Sequence, residues 1–426
     1  MTPDPGLSPY RPGPWPAEDG GPRRLQSPGA RADTPVVVAG TPMTVTSRTD
    51  PVITMAVTRD PGEVYLLRHT TGEDAVAFVE RIDPCGLEPL AHSEPLAGGP
   101  MWPGSIAAHA NGSLYVVFGD HAHRLGPDLE VLATTQLPRR RPYNGFIVLP
   151  DGTLVTKDFA GSRPMVPVPP DRRQPCELVA LDPDTLAILD TCVVAEPSIA
   201  RISAFGDEVY VVGDTSLLRA SWLDGRLVPD PGFRAVYRTI EGQTYGWDCA
   251  LALGAAWFLD DGDGTTGFDG SFEGKGISSA PLHLVRVDLA SGAVTLTEVC
   301  GLPGGLVANP PLIDPDRAIA VGYDSGNGVM AAFDISADGT LRRRWERRQN
   351  HASHLILLPG PGVVVTGDHD RGRFLEQVVA VDIATGEELA RADTAGPLQS
   401  TVFPALGHDG SVYWCSMSTV SRVHFG

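Results

Sequence analysis

The stretch FIVLPDGTLVTKDF, residues 146–159, holds two short apolar runs joined by a PDG turn. Proline presets one turn dihedral and glycine supplies a positive φ, so the two runs read as antiparallel neighbours. The second run has seven counterparts: GEVYLLRH from Gly62, GSLYVVFG from Gly112, DEVYVVGD from Asp207, GAAWFLDD from Gly254, RAIAVGYD from Arg317, GVVVTGDH from Gly362 and GSVYWCSM from Gly410. Their spacing averages about fifty residues. In most units a third strand closes on an aspartate turn, as in VVAVDIATG at 378–386, and a fourth follows, as in EELARAD at 387–393. Four antiparallel strands recurring at this interval predict an all-β chain folded as an eight-bladed β-propeller, because one such sheet must stack on neighbours to bury both faces. Seven blades is the alternative, since the poorly patterned residues 262–279 can hide a register error.

The last unit, from residue 398, ends after three strands, whereas VVVAGTPMTVTSR at 36–48 is a strand pattern without a unit of its own. We expect this N-terminal strand to close the ring and so remove two sheet edges open to pairing with other chains. Residues 34–426 then form one propeller domain, and the Pro/Gly-rich residues 1–33 an irregular strap or tail.

Composition agrees and narrows the function classes. Of 426 residues, 48 are Gly and 39 are Pro, spread throughout, which suits many short strands and turns. A net charge of -19 repels a phosphate backbone, so nucleic acid is not an expected partner. There is no apolar run of about 18 residues to span a membrane and no export signal at the start, so a cytoplasmic monomer is expected. The six cysteines are far apart without a CxxC pair and read as separate buried thiols.

The third and fourth strands resemble the propellers of the pyrroloquinoline-quinone-type repeat family. The resemblance is carried by VVAVDIATGEELAR at 378–391, HLVRVDLASG at 283–292, ELVALDPDT at 177–185 and the Trp-Pro segment PWPAEDGGPRRLQSP at 14–28. It implies the framework of the fold over some 380 residues. Quinone-using members resemble exported dehydrogenases with a vicinal cysteine pair over the cofactor. That pair and a signal peptide are absent here, so the resemblance does not extend to the quinone, and no cofactor is expected, with a divalent metal as the alternative.

In a propeller blade the innermost strand starts on the face where the second strand ends, so these two sets of residues surround one mouth of the channel. Asp120, Asp158, Asp214, Asp261, Asp324 and Asp368 recur there from unit to unit and read as turn caps. Asp83, Asp182, Asp224, Asp288, Asp334 and Asp382 close the third strands in the same way. Residues that break the repetition carry more chemical information. His351, His354 and His369 fall in one unit and can act as bases, acids or metal ligands, or simply as hydrogen-bonded loop histidines.

In YGWDC at 245–249, an inward Asp248 among aromatics would be pushed up in pKa by burial and suit a general acid; otherwise it is a turn residue. Lys157 is a candidate nucleophile or clamp, or an ion-pair partner of Asp158. Trp102, Tyr143, Asn144, Arg201, Tyr245, Trp247, Asn309, Asn350 and Gln399 are the candidate substrate contacts at the mouth. The loop DDGDGTTGFDGSFEG from Asp260 has its final glutamate one place late for a calcium loop, and the histidine spacing does not provide a four-histidine iron site. The leading expectation is a cofactor-independent acid–base enzyme of lyase, isomerase or cyclase type acting on a largely apolar small metabolite. The alternatives are a noncatalytic platform for a protein partner and a metal-dependent hydrolase.

Overall fold

Apolar second strands such as Leu114–Phe118 and Leu154–Asp158 are buried along their whole length, while fourth strands such as Val131–Gln136 alternate between exposed and half-buried. This gradient from inside to outside is what a blade radiating from a central axis requires. The computed structural model, described over residues 9–29, 34–163 and 166–426, contains eight antiparallel sheets, each meandering from an inner to an outer strand. The chain is an eight-bladed β-propeller. Residues 260–282, which include the stretch that left seven blades open, form a loop between the second and third strands of blade 5. Blade 1 carries an unexpected fifth strand, Leu96–Gly99, paired with Ala75–Ile82. Apolar side chains gather in five clusters between neighbouring blades instead of one centre, as stacked units demand. No helix is long and apolar enough to cross a membrane, among the residues described.

Ring closure follows the sequence expectation. Met43–Thr49 pairs antiparallel with Thr419–Phe425, from Met43 opposite Phe425 to Thr49 opposite Thr419, and supplies the outer strand of blade 8. The strand starts later than residue 36 because Thr41 N bonds Val38 O in a turn and Pro42 has no N–H to offer a ladder.

The two faces of the ring differ. On the face where inner strands end, connections are tight hairpins such as 149–153 and 407–411. On the opposite face the inner strands begin among long connections at 159–176, 237–249, 260–282 and 299–311. Residues 9–29 run in irregular backbone through the channel itself. They make isolated bridges, Tyr10 with His109 and Ala17 with Ala107, and their carbonyls accept from inner-strand amides: Trp15 from Thr58, Pro22 from Ala204, Arg23 from Leu251 and Gln26 from Leu357. Residues 1–8 and 30–33 of the expected strap or tail lie outside the described residues.

Candidate functional site

Beneath the long-loop mouth lies a cluster of charge assembled from three blades and the channel segment. Glu18 Oε2 accepts from Arg201 at 2.8 Å and from Arg24 at 3.2 Å, while its Oε1 accepts from Ser105 Oγ at 2.6 Å and Phe146 N at 3.3 Å. Asp19 joins Arg24 at 2.9 Å and the His354 Nδ1 at 2.7 Å. Asp248 Oδ1 accepts the Arg201 backbone N–H at 2.6 Å, and its Oδ2 is 4.0 Å from Arg24. Every one of these six side chains is buried. Asp19, Arg24 and Gln26 all sit in the left-handed region of φ, between 52° and 55°. For residues other than glycine that costs about 1 kcal/mol each, offset by what their side chains reach in the propeller. Gln26, for example, accepts from Leu355 N at 2.5 Å and donates to Pro311 O at 2.8 Å. Gly145, itself at φ 82°, leaves the room: a Cβ there would lie 3.4 Å from Glu18, Arg24 and Arg201.

Burial and the two guanidiniums push the three carboxyls in different directions. Burial alone would raise Glu18, but Arg201 and Arg24 outweigh it and hold the carboxyl below its ordinary range. Asp19 is likewise lowered, burial being overcome by His354 and Arg24. Asp248 goes the other way, raised by burial despite Arg24 and Arg201. Two guanidiniums thus face two carboxyls held below their ordinary range and a third, Asp248, held above it.

The structure brings Asp248, His354 and Arg201 together and scatters the other candidates. His351 is fully buried; its Nδ1 faces Thr366 Oγ1 at 2.9 Å and Gly367 N at 3.2 Å, and burial pushes it down to about 3. His369 Nε2 donates to Pro397 O at 3.0 Å in a separate network where Asn350 Nδ2 donates to His369 O and Gln399 Nε2 donates to Asn350 Oδ1. Lys157 does not pair with the Asp158 carboxylate. Its Nζ donates to the carbonyls of Asp158 and Ser198, and burial lowers its pKa. The Asp158 carboxylate is taken instead by Arg139, Arg141 and Glu177 N. Asn144 and Asn309 donate to Ile199 O and Ala352 O, and Tyr143 OH accepts from Arg139 N. At the mouth Trp102 is half-buried and stacks on Phe159, centroids 4.3 Å apart, with Trp247 at 6.5 Å. Tyr245 donates to Asp263 and lies under the Arg173 guanidinium at 4.2 Å.

Two sets of repeated aspartates separate by role. Asp83, Asp182, Asp288 and Asp382 accept amides of the turn that follows, as expected, whereas Asp334 pairs with Arg342 and Arg344. The mouth set is mixed. Asp324 accepts from Asn327 N in its own turn and from Leu306 N, while Asp158, Asp261 and Asp368 reach amides of neighbouring strands or loops. Glu18, Asp19, Arg24 and Gln26 were not foreseen as site residues. Their only signal was the charged run EDGGPRR inside a segment otherwise built of proline and glycine.

Asp19, Asp248 and His354 present ligand atoms within 4.8 Å of one another, the spacing of a metal site. The set does not fit a cation, because Arg24 already lies against both carboxylates and a metal ion between them would face its positive charge. Residues 15–26 occupy the channel, and the carbonyls of Trp15, Pro22, Arg23 and Gln26 accept from the inner strands.

No protein-family model matches this chain, and no curated protein matches it in sequence. Solved structures do match. The quinohemoprotein alcohol dehydrogenase ADHIIG from Pseudomonas putida HK5 superposes with a TM-score of 0.62 at 11% identity over 98% of this chain and 81% of its own. A europium-containing methanol dehydrogenase gives 0.61 at 11% identity over 95% and 89%, and BamB from Moraxella catarrhalis gives 0.54 at 12% identity over 89% and 100%. Identities this low speak for architecture alone. The chain is an eight-bladed β-propeller, similar in fold to these dehydrogenases and to BamB.

Proposed function

We propose that this protein is a noncatalytic binding platform that presents its long-loop face to a protein partner. The observation that carries this reading is the filled channel: Asp248 and His354, the pair best suited to acid–base work, are buried against the chain's own Asp19, Arg24 and Arg201. A substrate would have to displace an ion cluster whose broken halves cost about 3 to 5 kcal/mol. The same face exposes large apolar side chains on its loops, Ile240, Ile277, Leu302 and Phe374, the last 72% exposed. Apolar groups on long loops over a rigid frame are the usual makings of an interface core.

The test compares partner capture by wild type, by Ile277→Ser/Phe374→Ser and by Asp248→Asn, whose amide keeps the Arg201 contact. The platform reading expects capture to be lost in the double variant at unchanged melting temperature and kept in Asp248→Asn. Capture indifferent to the loop residues, or a metabolite turned over by wild type and spared by Asp248→Asn, returns the acid–base enzyme to first place.

A further inference from the structure

On the long-loop face, at blade 3, residues 140–142, 159–163 and 166–174 line a concavity of about 110 Å³. Five arginines line it, Arg140, Arg141, Arg163, Arg172 and Arg173, and no aspartate or glutamate does among the described residues. In a chain with 52 acidic and 33 basic residues such a lining is the reverse of the surrounding surface. The acidic partners of four of them stand outside the lining. Arg140 pairs with the exposed Asp74 at 2.7 Å, Arg163 with Glu73 at 2.7 Å and Arg141 with Asp158 at 2.9 Å. Arg172 has no acidic partner among the described residues.

Arg173 supplies an independent sign. Its side chain is only 3% exposed, and its Nε donates to Ala160 O at 2.9 Å. Its NH2 pairs with Asp214 Oδ1 at 2.8 Å outside hydrogen-bond geometry, and its guanidinium covers the Tyr245 ring at 4.2 Å, so a buried, pre-positioned charge forms one wall of the pocket. Phe159 adds an apolar surface to the lining and connects it to the Trp102 stack.

We propose that this pocket binds the oxyanion head, carboxylate or phosphate, of an anionic ligand with a small apolar body. The planar guanidinium fork matches both oxyanions in bidentate fashion. The site goes beyond the platform reading and does not depend on it: a partner's acidic side chain or a free anion would meet the same donors.

The experiment is isothermal titration of the full chain at fixed ionic strength with inorganic phosphate, phenyl phosphate and benzoate, on wild type, Arg172→Gln and Arg173→Gln. Saturable binding of at least one probe is expected, weakened about tenfold in each variant, as loss of one charge-assisted contact implies. The phenyl phosphate and benzoate arms decide which oxyanion is preferred. Arg172 is exposed and pairs with no acidic side chain, so Arg172→Gln folds and reports on binding even where Arg173→Gln does not. No saturable heat with any probe, or equal affinity in wild type and Arg172→Gln, overturns the assignment. Binding here with the loop-face variant Ile277→Ser/Phe374→Ser unaffected separates this site from the apolar docking surface.

Discussion

Glu376 shows how a single residue can set a pH response in this fold. It is buried between blades 7 and 8, one oxygen 3.4 Å from Trp414 Nε1 and the other without a hydrogen-bond partner. Burial pushes its pKa well above the ordinary carboxylate range. The folded state therefore holds a proton that the unfolded state releases, and stability falls as pH rises from the unfolded value through the folded one. Glu376→Gln keeps the shape without an ionisable proton. Thermal melts across pH 4 to 9 should show the wild type losing stability toward alkaline pH, and the variant flatter and more stable there by about 1 kcal/mol or more. Parallel curves for the two proteins would mean that Glu376 is solvated after all. His351 carries the same logic in the opposite sense: burial that depresses it to about 3 leaves a neutral ring at physiological pH, a packing group against Tyr323.

At the scale of elements, the N-terminal region contributes twice, once as the closing strand Met43–Thr49 and once as the channel segment. From the strand pattern alone, removing residues 1–25 should cost less than removing 1–48, because only the longer deletion uncovers the edge of Thr419–Phe425. The contacts of Glu18, Asp19 and Arg24 change that expectation. Deleting 1–25 leaves Arg201 without Glu18 and His354 without Asp19, and a buried charge stripped of its partner costs about 3 to 5 kcal/mol. Both truncations should therefore melt far below wild type, with only the longer one also aggregating through its open edge. A melting temperature near wild type for the 1–25 deletion would show that the channel segment adds little to stability. The loops follow a similar division: short hairpins on one face tie neighbouring blades, as where Tyr115 OH donates to Pro183 O and Tyr413 OH to Pro84 O, while the connections on the other face build the surface on which both proposals rest.

For the whole molecule, eight sheets stacked around an axis leave few routes from solvent to the interior. Cys176, Cys192, Cys249 and Cys415 are buried, Cys300 is half-buried with its thiol pushed up to about 12 by burial, and Cys85 is exposed in a loop on the hairpin face. Exposure of Cys85 departs from the sequence expectation of six buried thiols. It follows from the turn in which Asp83 accepts the amides of Cys85 and Gly86. All six are free, so reductant should leave the melting temperature unchanged. A thiol-reactive chromophore should label one cysteine quickly in the native protein and the buried four only on unfolding. Rapid labelling of several thiols would indicate that the ring opens far more readily than its packing implies.

The repeating unit, the strand order within each blade and the partner of the closing strand were legible in the sequence, because each rests on local pattern: a PDG turn, alternation, and a repeat near fifty residues; the choice of eight blades over seven came from the folded loop at 260–282. Asp248, His354 and Arg201 were legible as candidates at one mouth of the channel for the same reason, since position in a repeat specifies which end of the channel a residue meets, while the direction of the Asp248 side chain was left open. Their partners were not. Glu18, Asp19 and Arg24 lie in a segment without periodicity, and His354 is 335 residues from Asp19 along the chain. Nothing in local propensity relates two such positions. Only closure of the ring, which leaves an axial space that the chain must fill and whose buried polar groups must be paired, decided that those candidates meet charges of their own molecule.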